Sequence, residues 1–258
     1  MGIKSILSVF DMAKRSNRKV LIPYITAGFP DKNRFWDIVE ELSLNGADII
    51  EIGVPFSDPI ADGPIIEQAS YECLKRGVSL KWILEELKTH RKDIKAEILL
   101  MGYSNPFERY GWERLSQEAR EIGISGFIVP DLPLEESLFV EEILKKNELA
   151  FVRLIGLNTP EDRMKEYAKR TDSFVYFVSV LGTTGPRDRF PKELTSKLKE
   201  AREIFDQPIV VGFGAKHPSQ FTEIKDLIDG IVFGSSLISH IRDGGSPIDF
   251  MKTWVGKI

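Results

Sequence analysis

Eight short runs rich in β-branched and aromatic residues recur along the chain, separated by longer charged stretches whose apolar residues return at helical spacing. The runs are VLIPYI (20–25), ADIIEIG (47–53), EILLMG (97–102), GFIVP (126–130), AFVRLIG (150–156), SFVYFVS (173–179), PIVVGFG (208–214) and DGIVFG (229–234). Such runs read as strands. The stretches at 31–45, 64–75, 79–92, 111–123, 135–147, 160–170, 191–205, 217–227, 235–242 and 247–256 read as helices. Asp31 and Thr159 stand where N-caps belong. Alternating strand and helix implies a parallel sheet covered on its faces, and eight units in 258 residues match a (β/α)8 barrel. The expected fold class is therefore α/β, a single-domain (β/α)8 TIM barrel over residues 1–258 with an extra N-terminal helix carrying Ile3, Ile6, Leu7 and Phe10. A doubly wound open sheet competes, but it wants a glycine fingerprint after the first strand, and AGFP at 27–30 is not one.

Composition narrows the function classes. The net charge of −4 offers no basic bias toward nucleic acid or an anionic membrane. The single cysteine, Cys73, excludes an intrachain disulfide and fits a reducing compartment; its helical neighbours read it as a buried, inert thiol. No apolar run reaches the roughly 18 residues of a membrane span, the first residues lack a signal-peptide core, and Ile6 spoils a myristoylation signal. A soluble cytoplasmic protein is expected.

One carboxylate interrupts an apolar strand. In ADIIEIG, side-chain alternation places Ile49, Glu51 and Gly53 on one face. Desolvation there would raise the Glu51 pKa into the range of a general acid or base; a structural Glu paired with Lys or Arg is the alternative, and local sequence leaves both open. The loop that follows, in EIGVPFSDPIADGP, carries Asp58 and Asp62. Asp58 before Pro59 is a turn residue by local chemistry, and Asp62 before Gly63-Pro64 reads as a helix cap.

Glycine marks the late loops. Gly182 to Gly185 follow the sixth run, Gly212 and Gly214 close the seventh, and Gly234-Ser235-Ser236 opens a helix after the eighth. Backbone N–H groups and a helix N-terminus there suit a phosphate. His90, His217 and His240 are scattered without ligand spacing, so they read as surface or capping histidines and no metal site is expected.

EIGVPFSDPIADGP, together with LIPYITAGFP, YSNPFERYG, GFIVPDLPLEES, VSVLGTTGPR, VVGFGAKHPSQ and VFGSS, resembles the tryptophan synthase alpha subunit family, in family order from about residue 20 to residue 236. The resemblance implies a lyase that splits indole-3-glycerol phosphate into indole and glyceraldehyde 3-phosphate. It implies no cofactor in this chain and a pyridoxal-phosphate beta subunit as partner, in an alpha2-beta2 heterotetramer. It carries Glu51 over as the proton donor and base, and Asp62 as acceptor of the indole N–H. Gly185, Gly214, Gly234 and Ser235 take the phosphate positions. Tyr24, Leu100, Ile128, Tyr176 and Phe213 take the indole pocket, with Thr184 on a closing loop. Asp58, Asn105, Pro106 and Asp131 take the partner interface, where Phe56, Pro106, Phe107 and Leu134 would otherwise expose apolar surface. Three departures from the family pattern stand at Gly102, 154–163 and 180–189. A stand-alone lyase, a regulatory partner of a beta subunit, and another phosphate-binding barrel such as a sugar-phosphate isomerase are the other readings.

Overall fold

A computed structural model describes residues 2–179, 190–212 and 216–258. Eight parallel strands close into a barrel in sequence order: β1 (Val20–Thr26), β2 (Ile49–Gly53), β3 (Glu97–Met101), β4 (Gly126–Ile128), β5 (Ala150–Gly156), β6 (Val175–Val178), β7 (Ile209–Gly212) and β8 (Gly230–Phe233). The ring is sealed by β1 on β8, with Val20 opposite Gly230 and Pro23 opposite Phe233. The expected (β/α)8 barrel is the observed fold.

Alternation along each strand sorts the core into two layers. Val20, Ile22, Tyr24, Ile49, Leu99, Met101, Ile128, Val152, Tyr176, Val210 and Val232 fill the barrel interior. Leu21, Ile25, Ile50, Ile52, Leu100, Phe127, Phe177, Val211 and Ile231 face the helices. This two-sided burial explains why the strands read as continuous apolar runs. The N-terminal helix α1 (Ile3–Arg15) buries Ile6, Val9, Phe10 and Ala13 among the interior residues, and Phe10 meets Phe174 at 5.4 Å. It therefore plugs the barrel floor, each buried Ile or Phe contributing about 1.5–3 kcal/mol, and leaves chemistry to the opposite mouth.

The outer helices are α2 (Lys32–Leu44), α3 (Pro64–Lys75), α4 (Leu80–His90), α5 (Ser104–Tyr110), α6 (Trp112–Ile122), α7 (Leu138–Lys146), α8 (Glu161–Ala168), α9 (Glu193–Ile204), α10 (Ser235–Arg242) and α11 (Pro247–Lys252). Asp31 caps α2, accepting from Asn33 and Arg34 N–H at 3.0 Å each. Thr159 instead closes a turn before α8, its hydroxyl accepting from Gly156 N–H at 2.8 Å.

Two elements differ from expectation. The stretch 217–227 forms two 3-10 turns, Pro218–Phe221 and Lys225–Leu227, rather than a helix. Its apolar anchors Phe221 and Ile224 are buried three residues apart, a spacing that one tight turn serves without an α-helical stripe. Conversely α5 was not expected: SNPFERY holds a proline, yet it occupies the third helical position and Phe107 supplies a buried anchor against Trp112 and Phe127 at 5.3 and 5.5 Å.

Candidate active site

Glu51 lies in the middle of β2, in register with Tyr24 of β1 and Leu99 of β3, both of which face the barrel interior. Its side chain is 0% exposed, and both carboxyl oxygens lack a hydrogen-bond partner among the described residues. Burial alone pushes its pKa well above the usual carboxylate range. The paired structural Glu is thus not what the fold builds. Burial favours the protonated acid, and its oxygens meet no partner among the described residues.

Two tyrosines lie beside it because glycines make room. A Cβ on Gly53 would stand 2.1 Å from the Tyr24 hydroxyl, and one on Gly234 would stand 3.0 Å from the same ring. A Cβ on Gly212 would stand 2.2 Å from the Tyr176 hydroxyl. Tyr24 and Tyr176 therefore rest against bare Cα atoms of the flanking strands. Burial raises both phenol pKa values, and the nearby charge of Asp62 adds to it, so both remain neutral.

Asp62 arrives from the loop after β2. Gly63, not Asp62, is the N-cap of α3, and among the described residues no side-chain capping hydrogen bond is made there; the capping reading of Asp62 is thereby corrected. The loop is bent by a Pro59 carbonyl that accepts from Asp62 N–H at 3.0 Å. Burial raises the Asp62 pKa to about 6, Tyr103 draws it down, and Glu67 pushes it up. Near neutral pH the carboxylate is mostly ionised. Two carboxyls in different surroundings thus share one mouth, one buried without a partner among the described residues and one drawn toward its anion by Tyr103.

Tyr103 was not anticipated as a site residue. It follows β3 by two positions and is buried, its hydroxyl accepting from Ala61 N–H at 2.9 Å and its ring stacked on Phe56 at 5.2 Å. The available signal was its place just beyond a strand's C-terminal end, where barrel chemistry resides; YSNPF was read instead as an interface loop.

Of the expected indole-pocket residues, Tyr24, Ile128 and Tyr176 face the interior. Leu100 does not. It stands opposite Ile52 and Phe127 in the layer beneath the helices, and the period of two along β3 gives the interior positions to Leu99 and Met101. Gly234 and Ser235 open α10 immediately after β8, with Ile238 N–H bonding back to Gly234 O at 2.9 Å. The preceding amides of that first turn have no acceptor within the helix. Thr184, Gly185, Phe213 and Gly214 lie outside the described residues.

At the expected interface, Asp58 and Asn105 are exposed and Pro106 is half-buried. Asp131 is half-buried and accepts from both N–H and Oγ of Ser104 at 2.8 Å, so it anchors the start of α5. Phe107 and Leu134 are buried rather than exposed, because they fill gaps under their own loops. The exposed apolar side chains nearby are Ile60 at 79% and Tyr71 at 58%. Gly102 has a local cause: a Cβ there would stand 2.9 Å from the Phe107 ring and 3.0 Å from Val54.

His90 stacks on Trp36 at 4.9 Å, His217 caps a 3-10 turn, and His240 contacts the Ser246 carbonyl at 3.0 Å. Among the described residues no cluster of His, Cys, Asp or Glu has the makings of a metal site, and no helix is long and apolar enough to cross a membrane. Cys73 is buried, and desolvation pushes its thiol to about 12.

The family model of the tryptophan synthase alpha chain matches residues 10–251. This chain belongs to the tryptophan synthase alpha chain family. The tryptophan synthase alpha chain of Solidesulfovibrio magneticus is 51% identical over 98% of this chain and 99% of its own length. That of Aquifex aeolicus is 42% identical over 94% and 95%. A structure of Mycobacterium tuberculosis tryptophan synthase superposes with a TM-score of 0.88 at 28% identity, covering 98% of this chain and 95% of that one. As a tryptophan synthase alpha chain the protein is a carbon–carbon lyase of tryptophan biosynthesis, cleaving indole-3-glycerol phosphate, and its partner is a beta subunit.

Proposed function

We propose that Glu51 and Asp62 carry the retro-aldol cleavage within a one-domain chain of residues 1–258. The single observation that carries the reading is Glu51, fully buried in the barrel interior with both carboxyl oxygens unpartnered among the described residues. Protonated Glu51 delivers its proton to indole C3, giving an indoleninium cation. Ionised Asp62 accepts a hydrogen bond from the indole N–H as positive charge grows there. Glu51, now a carboxylate, takes the proton of the glycerol hydroxyl while the bond to C3 breaks, releasing indole and glyceraldehyde 3-phosphate. Its proton is thereby restored.

Tyr24, Ile128, Tyr176 and Met101, the last in place of Leu100, flank the indole. The phosphate binds the first turn of α10 through Gly234 and Ser235, together with Gly185 and Gly214. The beta subunit docks on the face that carries Phe56, Asp58, Ile60, Tyr71, Asn105 and Pro106. Two clefts of about 420 and 620 Å³ that share Phe56, Ser57 and Leu74 support this face. The pyridoxal phosphate resides in that partner, the assembly is an alpha2-beta2 heterotetramer, and it works in the cytoplasm.

The test is indole release from indole-3-glycerol phosphate by wild type, Glu51→Gln and Asp62→Asn, with and without a cognate beta chain. The expected result is partner-accelerated release that both variants lose while still binding the phosphate. Fast release indifferent to the partner points to a stand-alone lyase; variants as active as wild type overturn the assignment of the two carboxyls.

A further inference from the structure

The loop from Val54 to Asp62 is tied to the end of β3 by one side chain. Tyr103 presents its ring to Phe56, with centroids 5.2 Å apart and planes 26° from parallel, and its hydroxyl to Ala61 N–H at 2.9 Å. Phe56 is also held by its backbone, whose N–H donates to Ser70 Oγ at 3.1 Å. Tyr103 is itself fixed from below, since the next residue, Ser104, gives both N–H and Oγ to Asp131 in the loop after β4.

The hydroxyl has one proton and two acceptor sites. Ala61 N–H can only donate, so it occupies an acceptor site and leaves the phenolic proton for the carboxylate of the next residue, Asp62. A donor at that place favours the ionised acid. Tyr103 does lower the Asp62 pKa against the larger effect of burial, and burial keeps the phenol itself protonated. Other groups face this carboxylate from the surrounding elements. Glu67 of α3 opposes its ionisation, while Tyr24 of β1 and Tyr176 of β6 are neutral phenols that feel its charge. Glu51 of β2 is felt by those two tyrosines, and Asp131 by Tyr103.

We propose that Tyr103 is a positioning residue for cleavage, holding the Ala61–Asp62 end of the loop in place through its hydroxyl while its ring couples that placement to the seating of Phe56. The inference rests on the role given to Asp62 above. A displacement of Phe56 at the outer end of the loop moves the same side chain that orients Asp62 at the inner end.

The test is the pH profile of kcat and KM for indole release by Tyr103→Phe, which keeps the ring and its stacking, alongside Asp62→Asn, both with the beta chain bound. The expected result is an acid limb displaced upward by about one pH unit, so that kcat falls several-fold at pH 6, returns to within about twofold of wild type at pH 8, and leaves KM unchanged. Phe56→Leu, which removes the stacking and spares the hydroxyl, moves the limb the same way by less. A Tyr103→Phe profile that coincides with wild type, or one lowered by the same factor at every pH, overturns the inference while leaving Asp62 its role, provided Asp62→Asn is inactive. A fully active Asp62→Asn overturns both.

Discussion

Glu51→Gln isolates the energetic consequence of burying an unpaired acid. The wild-type side chain is fully buried without hydrogen-bond partners among the described residues, and burial alone raises its pKa. In the unfolded chain the same carboxyl titrates near 4.3. Below that value both states are protonated and the folded protein has the full stability of a neutral side chain. As pH rises, the unfolded state releases its proton and the folded state does not, so stability falls by about 1.4 kcal/mol per pH unit until the folded pKa is reached. Glutamine has nearly the same shape and no proton to lose. The gap in unfolding free energy between Glu51→Gln and wild type should therefore widen with pH in the variant's favour, by about 1.4 kcal/mol per unit across that window. Asp62 contributes a slope of the same sign up to about pH 6, but it is present in both proteins and cancels in the difference. Urea unfolding of both proteins at half-unit steps from pH 5 upward measures it. Curves that run parallel in pH would show that Glu51 is ionised or paired in the folded protein, and the acid role assigned to it would fall with that result.

Three further outcomes follow from named contacts. Because ionised Asp62 has a pKa near 6, kcat of the wild type should decline on the acid side below about pH 6, and a flat profile from pH 5 to 8 would contradict an anionic acceptor. Gly53→Ala puts a methyl 2.1 Å from the Tyr24 hydroxyl; displacing that ring should lower kcat by about a hundredfold, and wild-type turnover would show that the ring's place is immaterial. Glu141 of α7 pairs with both Arg153 of β5, whose side chain is 3% exposed, and Arg170. Glu141→Gln should destabilise the fold by about 3 kcal/mol through the stranded Arg153 charge, read as a lowered urea midpoint, and a loss under about 1 kcal/mol would refute the buried-pair account.

The outline of the site was legible where local chemistry is unusual. A carboxylate in an apolar strand is costly wherever that strand is buried, so Glu51 could be singled out before its neighbours were known. Tyr103 could not, because a tyrosine in YSNPF has no local oddity; its role depends on the approach of Ala61 and Phe56 from another loop. Leu100 was misplaced for a related reason. In a strand buried on both faces, hydrophobicity does not say which alternate residues face inward, and the pairing register decides it.

The chain's periodicities by themselves determined the architecture. Eight β-branched runs alternating with helical stretches, with no glycine fingerprint after the first, favour a closed parallel barrel that buries both faces of the sheet over a doubly wound open one. Sequence likewise determined α1, which needs the floor of that barrel to cover its Ile6 and Phe10. Tertiary structure alone decided that the Glu51 carboxyl finds no hydrogen-bond partner among the described residues, that Gly63 rather than Asp62 is the N-cap of α3, and that Gly53, Gly212 and Gly234 are the spaces in which Tyr24 and Tyr176 lie. Those facts depend on atoms brought together from distant strands, and no local preference of the backbone encodes such distances.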